Sequence, residues 1–158
     1  MVNSLTITFD RVVTFDAGAF GLLGQGGTEV GLNVVASVVG GRTVAVLTFT
    51  GSDIIGGSLA DGSYTLTVRG DLIRDEVGRE LDGDRDGNGG GDRVDAFFRL
   101  FGDSDGDGDV DWLDRDLFRS AFGKSIGDAD YLWYFDFDGD GDVDGLDNGQ
   151  FNRRFGQN

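Results

Sequence analysis

Two sets of six aspartates carry the densest chemistry in this 158-residue chain. Asp103, Asp105, Asp107, Asp109, Asp111 and Asp114 recur 33 residues later as Asp136, Asp138, Asp140, Asp142, Asp144 and Asp147. The copies read DSDGDGDVDWLDRDLFRSAFG and DFDGDGDVDGLDNGQFNRRFG, with 13 of 21 positions identical. Oxygen-bearing side chains fall at loop positions one, three, five, nine and twelve, and Gly108 and Gly141 stand at position six. This is the ligand spacing of a twelve-residue calcium loop. Calcium is a hard cation that takes six to eight oxygens, so carboxylates on alternate residues can wrap it, and a backbone carbonyl at position seven (Asp109, Asp142) adds a ligand. Position eight is Val110 and Val143, where paired loops make a short backbone contact. A flexible, solvated acidic run is the plain alternative, but it explains neither the duplication nor the apolar helical pattern after each loop.

Composition narrows the chemistry further. The net charge is −16, with 5 basic and 9 acidic groups in residues 1–81 and 8 and 20 in the remainder. So acidic a half repels itself unless cations enter it, and it does not suit nucleic acid or an anionic membrane surface. Histidine and cysteine are both absent, which removes His-based triads, familiar zinc sites and disulfide staples. No apolar run approaches the ~20 residues of a membrane-spanning helix, so no membrane insertion is expected. The start, Met1-Val2-Asn3-Ser4, is not a signal peptide, and the chain reads as a piece of a longer secreted or cell-surface protein.

The elements that must hold these loops divide at Gly102. Before it, alternation in Leu5–Phe9, Val12–Phe15, Phe20–Leu23, Val30–Val39, Thr43–Thr50, Tyr64–Val68 and Val94–Phe101 predicts about seven strands. Gly40-Gly41 supplies a hairpin turn, and an Asp-Gly turn lies within Ser58–Gly62. This pattern predicts an immunoglobulin-like β-sandwich over residues 1–101. After Gly102, Leu113, Leu117, Phe118, Ala121 and Phe122 keep helical spacing, matched by Leu146, Phe151 and Phe155. Residues 102–158 should therefore form a small helical unit whose marginal core depends on bound metal.

A third acidic loop lies between the last two strand candidates. One register puts Asp84, Asp86 and Asn88 at positions one, three and five, with Gly89 at six and Asp95 at twelve. A looser one uses Asp82, Asp84, Asp86 and Asp92 with carbonyls. A third calcium and a plain acidic turn both remain open.

On these residues the duplicated loop-plus-helix unit resembles a type I dockerin, a module with two calcium loops, each followed by one helix. Asp at position twelve (Asp114, Asp147) agrees with that resemblance, which covers 102–158. The stretch DGSYTLTVRGDLIRDEVGRELDGDRDGNGGGD resembles bacterial immunoglobulin-like modules of large secreted proteins. The resemblance implies an all-α dockerin-like unit with two EF-hand-type loops beside a sandwich. It implies calcium as the ligand and a cohesin-like protein partner, with polysaccharide reached through the parent protein. Partner contacts would fall at Trp112, Leu113, Arg119, Leu146 and Arg153, although a Ser-Thr pair at the helix positions is missing from both copies.

Rival classes find less support. A carboxylate pair can serve a glycosidase, but nearly all the acidic density is already assigned to metal loops, so no enzyme is expected. Calcium sensors open a Met-rich groove, and this chain has one methionine. Gly123-Lys124-Ser125 is no phosphate loop, because Phe118 stands where the motif needs glycine. Tyr131, Trp133 and Tyr134 with Trp112 could form a sugar platform, but such residues more often close a small core. A purely structural cap of the parent protein, or a carbohydrate-binding accessory module, remains the alternative to anchoring.

Overall fold

A computed structural model describes residues 1–52 and 54–157. The described residues form eight strands: β1 (Ser4–Thr8), β2 (Val13–Phe15), β3 (Phe20–Leu23), β4 (Glu29–Val39), β5 (Arg42–Thr50), β6 (Gly62–Val68), β7 (Ile73–Asp75) and β8 (Arg93–Arg99). Two ten-residue helices follow, α1 (Trp112–Ala121) and α2 (Gly145–Arg154). Six strands lie edge to edge in the order β1-β5-β4-β3-β6-β8, and β2 pairs with β7 in a separate two-stranded sheet.

The expected fold class is corrected here. The chain is mostly β, with one six-stranded sheet and two short helices, and it is not a sandwich joined to an all-α dockerin-like domain with EF-hand-type architecture. What is overturned is the separate all-α unit; the strands keep partly sandwich-like features, a six-stranded sheet with a small second one. Gly40 and Gly41, at φ 59° and 77°, make a two-residue turn of the kind that suits twisted hairpins. They keep the long strands β4 and β5 adjacent, and β5 then takes β1 on its other side. β4 joins the remaining strands through β3 at Leu22–Val30 and Leu23–Glu29 only. β7 was not anticipated, because Ile73-Arg74-Asp75 is too short to show alternation.

The residues cluster into two compact units, and neither is continuous in sequence. One comprises Ser4–Gly51 and Ser63–Phe98; the other comprises Met1–Asn3, Ser52–Gly62 and Arg99–Asn158. In the strand unit, Leu22, Ala45, Leu47, Leu66, Val68 and Ile73 are buried on alternating positions. In the other, Phe101, Val110, Phe118, Ala121, Phe135, Val143 and Phe151 form a core, with Met1, Leu100, Tyr131 and Tyr134 packed against it. Two ten-residue helices cannot close this core alone. Phe118 stacks on Phe151 with centroids 4.6 Å apart, and Phe135 meets Phe118 edge-on at 5.2 Å.

Asp61 ties segments of this second unit together. Its carboxylate accepts from the Arg99 and Arg154 guanidinium groups and, at 2.7 Å, from the Phe101 amide. Burial pushes the Asp61 carboxyl up, but the Arg154 hydrogen bond, the Arg99 charge and the Phe101 amide outweigh it and hold it below the ordinary value. In the sequence this residue reads only as half of an Asp-Gly turn.

Candidate metal centres

Each loop is shaped by its own aspartates before any ion is considered. Asp103 accepts the amides of Gly106 and Gly108 at 2.6 and 3.1 Å. Asp136 accepts those of Gly139 and Gly141 at 2.8 and 3.0 Å. Gly108 and Gly141 adopt φ 98° and 100°, the left-handed region where a side chain is strained. The chain then enters its helix through a capping box. Leu113 donates to Asp111 at 2.7 Å while Asp111 donates to Asp114 at 2.8 Å; Leu146 and Asp144 repeat this with Asp144 and Asp147, both at 2.7 Å.

Position twelve is the inner wall of both loops. Asp114 and Asp147 are each 1% exposed. Asp114 also accepts the Ser104 amide and hydroxyl, both at 2.7 Å, and Asp147 accepts the Phe137 amide at 2.6 Å. Around them the carboxylates gather in matched groups: Asp103, Asp105 and Asp114; Asp109, Asp111 and Asp114; Asp136, Asp138 and Asp147; Asp142, Asp144 and Asp147. Within each group one oxygen per residue lies within 4.8 Å of the others. Calcium–oxygen bonds of 2.3–2.6 Å span such a gap.

Two oxygens test the fit. Oδ1 of Asp109 and Oδ1 of Asp142 are buried and have no hydrogen-bond partner among the described residues. An acceptor in that state is costly, and it occurs at the same position of both copies. The sequence assigns position seven a backbone carbonyl, whereas here its carboxylate also faces the acidic group. Burial raises the Asp109 carboxyl, helped by Asp107, Asp111 and Asp114, and raises the Asp142 carboxyl, helped by Asp140 and Asp144. Asp105 is raised mainly by burial, and Asp147 is pushed up to about 6, again by burial first. An all-carboxylate donor set without nitrogen or sulfur suits calcium or magnesium, not zinc or copper. Asp107 and Asp140 stand outside the close groups and accept the amides of Asp109 and Asp142 at 3.1 and 3.2 Å.

Position eight departs from the expected loop-to-loop contact. Val110 donates to Gln157 at 3.1 Å and accepts from Gly156 at 2.8 Å. Val143 donates to Lys124 at 2.9 Å and accepts from Gly123 at 2.7 Å. Each loop is therefore clasped by the segment that follows the helix of the other copy.

The third acidic loop is only partly assembled. Asp82, Asp84 and Asp86 bring oxygens within 4.8 Å of one another. The Asn88 amide donates to Asp86 at 2.7 Å, and Asp92 accepts the Gly70 amide at 3.0 Å. Asp95, position twelve of the stricter register, pairs with Arg93 at 2.7 Å. Gly89 lacks the positive φ that Gly108 and Gly141 share.

The residues proposed for partner contact are exposed. Trp112, Leu113 and Leu146 show 62%, 68% and 64% of their surface, and Arg119 and Arg153 are exposed on the same two helices. Trp112 is not isolated, because Phe155 meets its ring edge-on at 5.1 Å and the Arg115 guanidinium lies 5.0 Å from its centroid. Tyr131 and Tyr134 pack on the core, while Trp133 is half exposed. Sequence reasoning missed the Tyr131 hydroxyl, which donates to Asp136 at 2.7 Å; an aromatic five residues before the loop gives no spacing signal. Among the described residues no helix is long and apolar enough to cross a membrane. Compared with protein-family models and with curated proteins, the chain gives no match.

Proposed function

We propose that the chain is a non-catalytic module ordered by calcium, with one ion in each duplicated loop, and that it serves anchoring or assembly of a secreted or cell-surface protein. The observation that carries the metal reading is the buried, donorless Oδ1 of Asp109 and its repeat at Asp142, beside a carboxyl wall at Asp114 and Asp147. An ion removes the repulsion within each group and satisfies that oxygen. With a dissociation constant near 10 μM, 1 mM calcium would stabilise the folded unit by about 2.7 kcal/mol per site. The Asp82–Asp84–Asp86 group is not included, since it lacks a buried oxygen of this kind.

Calorimetric calcium titration of chelator-stripped protein, with circular dichroism before and after, tests this reading. Two bound ions with a gain of ordered helix are expected; no heat and no spectral change would sink it. For anchoring, the support is the exposure of Trp112, Leu113 and Leu146 and of Arg119 and Arg153 on α1 and α2, which offer a protein partner apolar and cationic contacts. A second reading, a structural cap of the parent protein, is favoured by the packing of Trp112 on Phe155 and Arg115. Replacing Trp112 by Ala separates the two. Under the cap reading the melting temperature falls; under the anchoring reading capture of a surface partner falls while melting stays near that of the parent.

A further inference from the structure

The middle of the six-stranded sheet carries an open edge. β3 pairs with β4 only at Leu22–Val30 and Leu23–Glu29, while β5 pairs with β4 from Gly31 to Val39. On the side away from β5, residues 31–39 pair with no strand among the described residues. The direction of the backbone groups follows from two independent contacts. Gly24 donates to the Thr28 carbonyl, so even-numbered residues of β4 turn toward the β3 side. The two-residue turn between Val39 and Arg42 makes those residues a hydrogen-bonded pair, so odd-numbered residues turn toward β5. The amides and carbonyls of Leu32, Val34, Ala36 and Val38 therefore face the open side.

That edge has none of the usual protections. No charged residue and no proline occurs from Val30 to Gly41, and Val35, Val38 and Val39 are 70%, 61% and 61% exposed. Edge strands are normally blunted by charge, proline, a bulge or a covering element; β8, by contrast, carries Arg93, Asp95 and Arg99. We propose that β4 is a dimerisation edge, where a second copy of this chain pairs antiparallel about a two-fold axis at Val35. Leu32 then faces Val38 of the other copy and Val34 faces Ala36, each a hydrogen-bonded pair that uses only open groups. Val35 meets its own counterpart at a non-hydrogen-bonded position, where side chains come closest. In a chain of net charge −16, two copies approach best along an uncharged strand. Salt, by screening the rest of the surface, strengthens the pairing.

Sedimentation velocity across protein concentration and ionic strength tests this. The parent chain should shift from monomer to dimer with concentration, and more readily at higher salt. Ala36→Pro removes an amide from the open side while sparing every bond to β5; with one bond lost per copy, the dissociation constant should rise about thirtyfold. Val35→Lys opposes two cations at the axis and should likewise give monomer, with far-UV dichroism unchanged in both variants. Amide exchange at Leu32, Val34, Ala36 and Val38 should slow as concentration rises, while Asn33 and Val35 do not change. A parent chain that stays monomeric at all concentrations and salts overturns the proposal and leaves the edge to a strand of another protein. A dimer that survives both substitutions overturns it too, by placing the contact elsewhere.

Discussion

Asp136 opens the second loop from a buried position and takes a hydrogen bond from the Tyr131 hydroxyl. Asp103, at the same place in the first loop, is half-buried. At the far end the asymmetry continues: Asp147 is pushed up to about 6 by burial, while Asp114 takes the Ser104 hydroxyl in addition to two amides. The loops match in spacing and in capping geometry, so the difference comes from what the neighbouring chain adds. Ser104 supplies a hydroxyl donor to the first loop's position twelve, where Phe137 supplies only an amide to the second. The spacing is common to both loops; the donors that flank each one are not.

The largest effects should come from position twelve. In calcium, Asp114→Ala and Asp147→Ala should each remove one ion and cost about 3–4 kcal/mol, combining the linkage of one site with a lost cap. Denaturant melts with calorimetry would check this. In chelator the comparison sharpens, because Asp147→Ala also removes a carboxylate held unfavourably at pH 7. It should therefore cost less than Asp114→Ala there; equal losses would erase the asymmetry between the loops.

Acidity should separate the loops next. The folded, metal-free Asp147 carboxyl titrates at about 6, above its ordinary value of 3.8. Its contribution to metal-free stability is thus fully present below about pH 4 and lost as pH rises through 6. Calcium needs the carboxylate, so its effect has the opposite sign, and affinity at the second loop should fall as pH drops below about 6. Titrations at pH 7 and 5.5 should show the second site weakening; an affinity there that holds at pH 5.5 would count against the raised Asp147 carboxyl.

Position seven gives a smaller effect with opposite signs in the two states. Asp109→Asn and Asp142→Asn remove one charge from each repelling group, so metal-free melting temperatures should rise while calcium affinity falls. A fall in both would mean that the buried Oδ1 atoms are not held for an ion. Least of all, Tyr131→Phe should weaken the second loop by about 1 kcal/mol or less, and Ser104→Ala the first by a similar amount, each without changing the other site.

The loops and their helices were legible because ligand spacing is local: carboxylates at fixed offsets, a glycine at position six and an apolar face at helical period all lie within 21 residues. Seven strand positions were legible for the same reason. The arrangement of those strands was not. Whether β5 accepts β1, or a second sheet forms, depends on pairings across forty residues that alternation does not encode. Asp61 lies beyond such reading for the same reason, since its partners Arg99 and Arg154 are 38 and 93 positions away. The third acidic stretch shows the limit from the other side. Its composition matches the true repeats, but Asp95 is taken by Arg93 and Asp92 by the Gly70 amide.

The crossed clasp at position eight makes the two copies interdependent. The backbone of Val110 is closed by Gly156 and Gln157, and that of Val143 by Gly123 and Lys124. A single loop and helix carries its own set of aspartates, but its tail closes the other copy's loop, so one copy alone could make both contacts only by exchanging tails with a second. With both copies in one chain, that exchange is intramolecular. Cutting the chain after Phe155 should consequently loosen the first loop, more than thirty residues upstream, before it disturbs the second.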